Sequence, residues 1–186
     1  MLTDRYSDAL AYAALMHRNQ VRKGTNIPYL SHLLAVSSLV LEHDGDEDEA
    51  IGGLLHDVVE DVGRAEVPVI SRRFGDRVLQ IVLGCTDSDV LPKPPWRERK
   101  ERYIAHLAFA APSVLLVSCC DKLHNATAIL NDLEHVGPAV FDRFTAGRDG
   151  TLWYYRMLAD AFARRGARPA ARLAETVSRI EARSGM

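Results

Sequence analysis

Apolar residues recur along this chain at three- and four-residue spacing, and no stretch combines period-two alternation with β-branched enrichment. Such a chain buries its apolar surface by packing helix stripes against one another, which makes the fold class all-α, a bundle of roughly eight to ten helices. The spacing predicts a first helix from Thr3 or Asp4 to Asn19, with Leu2, Tyr6, Leu10, Ala13 and Ala14 on its inner face. Arg22-Lys23-Gly24-Thr25-Asn26-Ile27-Pro28 reads as irregular backbone, and Pro28 admits a second helix over 29–42. Asp44-Gly45-Asp46 ends that helix and caps a third, expected to run unbroken from Glu47 through Val59. Helices over 65–74 and 76–85 follow, with Gly75 as the break and Asp76 as N-cap. Residues 86–95, with Pro92, Pro94 and Pro95, are predicted non-helical. A basic amphipathic helix starts near Trp96 and another spans 113–131. Gly137, Gly147 and Gly150 are read as breaks before closing helices over 151–165 and 169–183.

At 186 residues the chain matches the length of a single domain with one core, 1–186. Its 23 basic and 25 acidic residues give a net charge of −2, which provides no broad basic footprint and excludes nucleic-acid binding by bulk charge. Small anionic ligands remain open. Met1-Leu2-Thr3-Asp4-Arg5 places an acid where a signal peptide needs a basic region, and no apolar run follows it. The most apolar stretch, 108–120, contains Pro112 and falls well short of the roughly 20 residues of a membrane span. Cys85, Cys119 and Cys120 form no C-x-x-C pair and fit small core thiols in a reducing compartment, so the expected location is cytoplasmic, with no membrane partner. Val140, Phe141 and Phe144 suit either a lid over the core or a homo-oligomer contact.

Against this apolar background, His32, the pair His56-Asp57, the pair Glu60-Asp61 and Asp121 stand where apolar residues would be cheaper. On a continuous helix His56 lies over Glu60, and Asp57 over Glu60 and Asp61, so four ionisable groups share one surface. A single buried histidine is usually a satisfied core residue, and a Glu-Asp pair a solvated face. The joint arrangement reads otherwise. His32, His56, Asp57 and Asp121 form a mixed nitrogen and oxygen ligand set suited to Mn²⁺, Fe²⁺ or another divalent ion, and no thiol in it argues for zinc. Glu60 and Asp61 then stand ready to handle protons.

This order of residues, one His, a His-Asp pair and a distant Asp, resembles the HD-domain metal-dependent phosphohydrolases. Arg22-Lys23-Gly24, Pro28-Tyr29, Leu54-Leu55-His56-Asp57-Val58-Val59-Glu60-Asp61, Phe74-Gly75 and Asp121-Lys122-Leu123-His124-Asn125 are similar to blocks of the RelA/SpoT-type (p)ppGpp hydrolases and their single-domain forms, the small alarmone hydrolases. The resemblance covers about residues 5–160 and leaves about 26, too few for a synthetase domain to follow. It implies an HD-type helical bundle with a metal-site core and C-terminal helices over 151–183. It also implies one divalent ion, with Mn²⁺ expected, held by His32, His56, Asp57 and Asp121, and Glu60 and Asp61 activating water to release the 3′-diphosphate of (p)ppGpp.

Further roles follow from the same resemblance. Asn125 is expected on the substrate. The loop after the first helix carries one residue more than the commoner spacing, so the nucleobase contact falls to Arg22 or to Lys23. Arg99 and Lys100 resemble residues that neighbour substrate phosphates, although Arg97-Glu98-Arg99-Lys100-Glu101-Arg102 also reads as alternating charge on a solvated helix. Arg148 and Tyr154 are expected near the mouth of the site, although aromatics at helical spacing are more often core and Trp153, Tyr154 and Met157 are assigned mainly to packing. Other nucleotides stay open as substrates: the 2′-phosphate of NADPH, ppApp or a deoxynucleoside triphosphate. A nucleotide sensor without turnover is disfavoured, because pure binding needs no Glu60-Asp61 pair.

Overall fold

The structure, a computed structural model, describes residues 1–88 and 92–185. Among these it contains ten α-helices: α1 (Asp4–Met16), α2 (Leu30–Glu42), α3 (Glu47–Leu55), α4 (Val58–Asp61), α5 (Val67–Phe74), α6 (Asp76–Cys85), α7 (Trp96–Leu107), α8 (Pro112–Val136), α9 (Gly147–Arg164) and α10 (Ala170–Ser184). Two 3₁₀ turns, Arg64–Glu66 and Gly137–Arg143, complete the set. The all-α expectation holds, and the one β feature among the described residues is an isolated bridge from Val21 to Pro28 that closes the loop after α1. The centre of the 86–95 segment lies outside the described residues.

The chain gathers into two compact units. The first comprises Met1–Lys93 with Ala111–Ser118, the second Pro94–Ala110 with Cys119–Met186. In the first, α3 packs against α1, α2 and α6, and α5 against α6. Leu33, Ile51, Leu54, Leu55, Val58, Ile70, Phe74 and Val82 are buried there in one cluster, as the helical stripes require. In the second unit α9 packs on α7 and α10, with Leu107, Leu123, Leu158, Phe162 and Leu173 buried. Val140 and Phe141 are buried in that unit, which makes them core residues. The three cysteines are buried thiols, in accord with the sequence.

Several boundaries differ from expectation for local reasons. Helix α1 stops at Met16 because His17 leaves helical geometry at φ −106° and ψ 16°. Gly75 at φ +92° is itself the cap of α6, a conformation favouring glycine, and Asp76 is the first helical residue. Gly147 and Gly150 do not break the chain but open α9, whereas Gly137 begins a 3₁₀ turn. The predicted third helix is interrupted at His56-Asp57, between α3 and α4. The Gly53 carbonyl, which a continuous helix offers to the Asp57 N–H, accepts from His56 Nδ1 at 2.9 Å.

Gly53 also sets how closely α3 approaches α2. A Cβ there would stand 3.1 Å from Ser37 Cα and 3.2 Å from its nitrogen, and backbone atoms yield little. Overpacking of this kind costs about 1–3 kcal/mol, against about 1 kcal/mol gained by alanine in a helix. Gly53→Ala is therefore expected to lower the thermal midpoint by a few degrees, on the order of 2–4 °C per kcal/mol for a chain of this size. An unchanged or raised midpoint would show that the helix pair relaxes freely.

Candidate metal centre

The first unit brings His32, His56 and Asp57 together. His32 projects from α2 and is fully buried, His56 follows α3 and is 1 % exposed, and Asp57 caps α4. One ligand atom from each lies within 4.8 Å of the others. His56 Nε2 stands 3.0 Å and His32 Nε2 3.8 Å from the same oxygen, Asp57 Oδ2. The two rings meet edge to face at 5.2 Å.

Chemistry fixes part of this arrangement. A carbonyl only accepts, so His56 Nδ1 must carry its proton toward Gly53. The neutral ring then presents a bare nitrogen lone pair at Nε2, and that lone pair faces a carboxylate oxygen. Lone pair against carboxylate is repulsive until a cation, a proton or a metal ion, stands between them. Nitrogen and oxygen donors without a thiol suit a divalent ion of the Mn²⁺ or Fe²⁺ kind, so the residues present fit the group that the sequence called for.

Tyr29, which the motif placed only by position, has a definite task. Its hydroxyl donates to Asp57 Oδ2 at 2.5 Å, its ring meets the His32 ring at 5.4 Å, and the Arg22 guanidinium lies over its face at 5.8 Å. Of the two residues expected at the nucleobase, Arg22 is half-buried and Lys23 exposed.

Glu60 and Asp61 both lie on α4, with different surroundings. Glu60 accepts from the Asp87 N–H at 3.1 Å and pairs with Lys93 at 2.7 Å, contacts that span 27 and 33 residues and leave no trace in a local motif. Asp61 accepts from Gln20 Nε2 at 2.8 Å. Desolvation and the charge of Asp57 push the Asp61 carboxyl above its usual range, with the Gln20 hydrogen bond and His17 opposing them. In the sequence reading His17 has no ligand spacing, and Gln20 is not singled out at all. The available signal was a histidine at the end of an apolar helix stripe, three residues ahead of a glutamine.

The second unit holds the remaining candidates. Asp121, 5 % exposed on α8, pairs with Lys122 at 2.5 Å and accepts from Asn125 Nδ2 at 2.5 Å. Burial, the largest single influence, opposes the charge on Lys122, but Asp121, Tyr103 and Tyr154 together outweigh it and hold the ammonium well above its usual pKa. On α7 the charge run separates into two populations. Arg97 with Glu101 and Arg102 with Glu98 form exposed i,i+4 pairs, as a solvated face would. Arg99 donates to the Pro94 carbonyl at 3.2 Å, and Lys100 lies 4.9 Å from the centre of the Tyr154 ring. Tyr154 is buried, while Arg148 is exposed and pairs with its neighbour Asp149.

Comparison with known proteins agrees with this chemistry. A family model described as HD domain matches residues 9–152. The chain is 35 % identical over 134 residues to the guanosine-3′,5′-bis(diphosphate) 3′-pyrophosphohydrolase MESH1 of Xenopus tropicalis, and 35 % identical over 133 residues to MESH1 of Drosophila melanogaster. Each match covers 70 % of both chains. Among solved structures it is similar to a metazoan ortholog of SpoT that hydrolyzes ppGpp, with a TM-score of 0.77 and 29 % identity over 97 % of this chain and 95 % of that one.

Proposed function

Because the chain belongs to the HD domain family, we propose that it is a metal-dependent pyrophosphohydrolase that takes the 3′-diphosphate from (p)ppGpp, giving GDP or GTP and pyrophosphate. The observation that carries this reading is the His32, His56 and Asp57 cluster, with one imidazole tautomer fixed, in a chain similar over nearly its full length to a ppGpp-hydrolysing protein. The reaction is balanced by one water: its oxygen attacks the phosphorus next to the 3′-oxygen, and the bond from that phosphorus to the 3′-oxygen breaks. The ribose hydroxyl is regenerated with one of the water's protons.

His32, His56 and Asp57 would hold the ion, and Asp121 joins them on the sequence motif alone. We assign Mn²⁺ as that ion, with Fe²⁺ as the alternative that the same donors accept. A divalent ion in such a site supplies Lewis acidity, favouring hydroxide over water and offsetting charge on phosphoryl oxygens. Glu60 and Asp61 orient the water and take its proton. Arg22, or Lys23 beside it, takes the nucleobase, and Arg99, Lys100 and Arg148 offset phosphate charge. Asn125 and Tyr154 complete the substrate contacts. The cytoplasm is the compartment that suits this substrate and the buried thiols.

The test is turnover of ppGpp, pppGpp, ppApp, NADPH and deoxyguanosine triphosphate by purified protein, with Mn²⁺ and with chelator. Chelator-sensitive loss of ppGpp with equal yields of GDP and pyrophosphate is expected. Phosphate from NADPH, or triphosphate from the deoxynucleotide, without loss of ppGpp would keep the metal chemistry and overturn the substrate.

A further inference from the structure

A third buried imidazole stands beside the candidate centre. His17 is 2 % exposed, and its Nδ1 lies 2.6 Å from Gln20 Oε1, while Gln20 Nε2 donates to Asp61 Oδ2 at 2.8 Å. An amide oxygen only accepts, so His17 Nδ1 carries the proton. The opposite orientation of the amide would set its oxygen against the Asp61 carboxylate, which fixes the direction of the whole chain of donors as His17 to Gln20 to Asp61. His17 Nε2 is buried and has no hydrogen-bond partner among the described residues. The ring stacks on Tyr29 at 5.4 Å and 28°, and Tyr29 in turn donates to Asp57.

Gln20 is anchored along its backbone as well. Its N–H donates to the His17 carbonyl at 3.0 Å and its carbonyl accepts from the Tyr29 N–H at 2.9 Å. A long flexible side chain with a pinned base and both amide atoms engaged has already lost most of its rotamer freedom, so Asp61 meets a rigid donor. We propose that His17 and Gln20 are positioning residues, a hydrogen-bonded arm that holds the Asp61 carboxylate in one orientation for the attacking water. This rests on the reading above that Asp61 serves that water.

Gln20→Met keeps the length of the side chain and removes both polar atoms. It is expected to lower kcat for ppGpp by about 10- to 100-fold, the range seen when an orienting partner is lost, with KM and Mn²⁺ affinity by calorimetry within about threefold of wild type. In an Asp61→Ala background the same substitution should cost nothing more, because the arm acts through Asp61. A full additional loss there, or an unchanged kcat in the single variant, would overturn the role. A long-range ¹H–¹⁵N spectrum of the imidazoles provides a readout independent of turnover. Wild-type His17 should be in the Nδ1–H form and lose it in Gln20→Met, and a wild-type Nε2–H form would overturn the arm itself. If the wild-type protein turns over no ppGpp, the functional reading falls and the arm's catalytic role with it, an outcome that the spectrum separates from failure of the arm alone.

Discussion

An Asp57→Asn protein is expected to bind no Mn²⁺ detectable by calorimetry and to turn over ppGpp at least about 10³-fold more slowly than wild type. The magnitude follows from losing several kcal/mol of transition-state charge stabilisation, each 1.36 kcal/mol being tenfold in rate. Asp57 is the hub of the cluster: one oxygen faces His56 Nε2 and His32 Nε2 and accepts the Tyr29 hydroxyl. The amide keeps the shape of the side chain, removes its charge and can turn an N–H toward the imidazoles, so the variant should fold with a thermal midpoint at or above that of metal-free wild type. Thermal denaturation separates the effects. Mn²⁺ should raise the wild-type midpoint by mass action and leave the variant unmoved. A variant whose midpoint still rises with Mn²⁺ would remove Asp57 from the ligand set.

Replacing Lys122 by Met should destabilise the protein by about 3 kcal/mol, within the range for breaking a buried ion pair by removing one partner. The expected fall in thermal midpoint is about 6–12 °C. The cost arises at Asp121, a buried carboxylate that loses a cation at 2.5 Å. Methionine fills much of the volume of the lysine stem, so lost packing contributes little. Removing the stranded charge should then restore part of the stability: Asp121→Asn with Lys122→Met is expected to melt above Lys122→Met alone. A double variant that melts at or below the single one would mean that the Lys122 ammonium, 5.2 Å from the centre of the Tyr103 ring, supplies the stability.

The contrast between these sites explains what a reader of the sequence can see. His32 and His56-Asp57 were legible because ionisable groups inside an apolar helix pattern have few cheap explanations, and helical elements were legible because packing repeats every three to four residues. The interruption at His56-Asp57 was not legible. Leu54 through Val59 has an apolar pattern that reads straight through, and the break depends on a ring nitrogen at the Gly53 carbonyl, a tertiary choice of rotamer. Gln20 and Asp61 are 41 residues apart, and Lys93 and Glu60 33 apart, so their contacts exist only once the chain has folded. Arg99 and Lys100 were distinguished from their neighbours by burial, which alternating charge alone conceals.

The order in which the chain visits its two units limits how such a protein can be dissected. The chain builds most of the first unit up to Lys93, passes to the second for Pro94–Ala110, returns for Ala111–Ser118, and leaves again within α8. No single stop codon frees an intact first unit, because a fragment ending at Lys93 lacks the segment that carries Val114, whose side chain closes on Gly84. Separating the two units takes three cuts, one of them inside α8 between Ser118 and Cys119. Substitutions and loop insertions therefore disturb this arrangement less than truncation or exchange of one unit would.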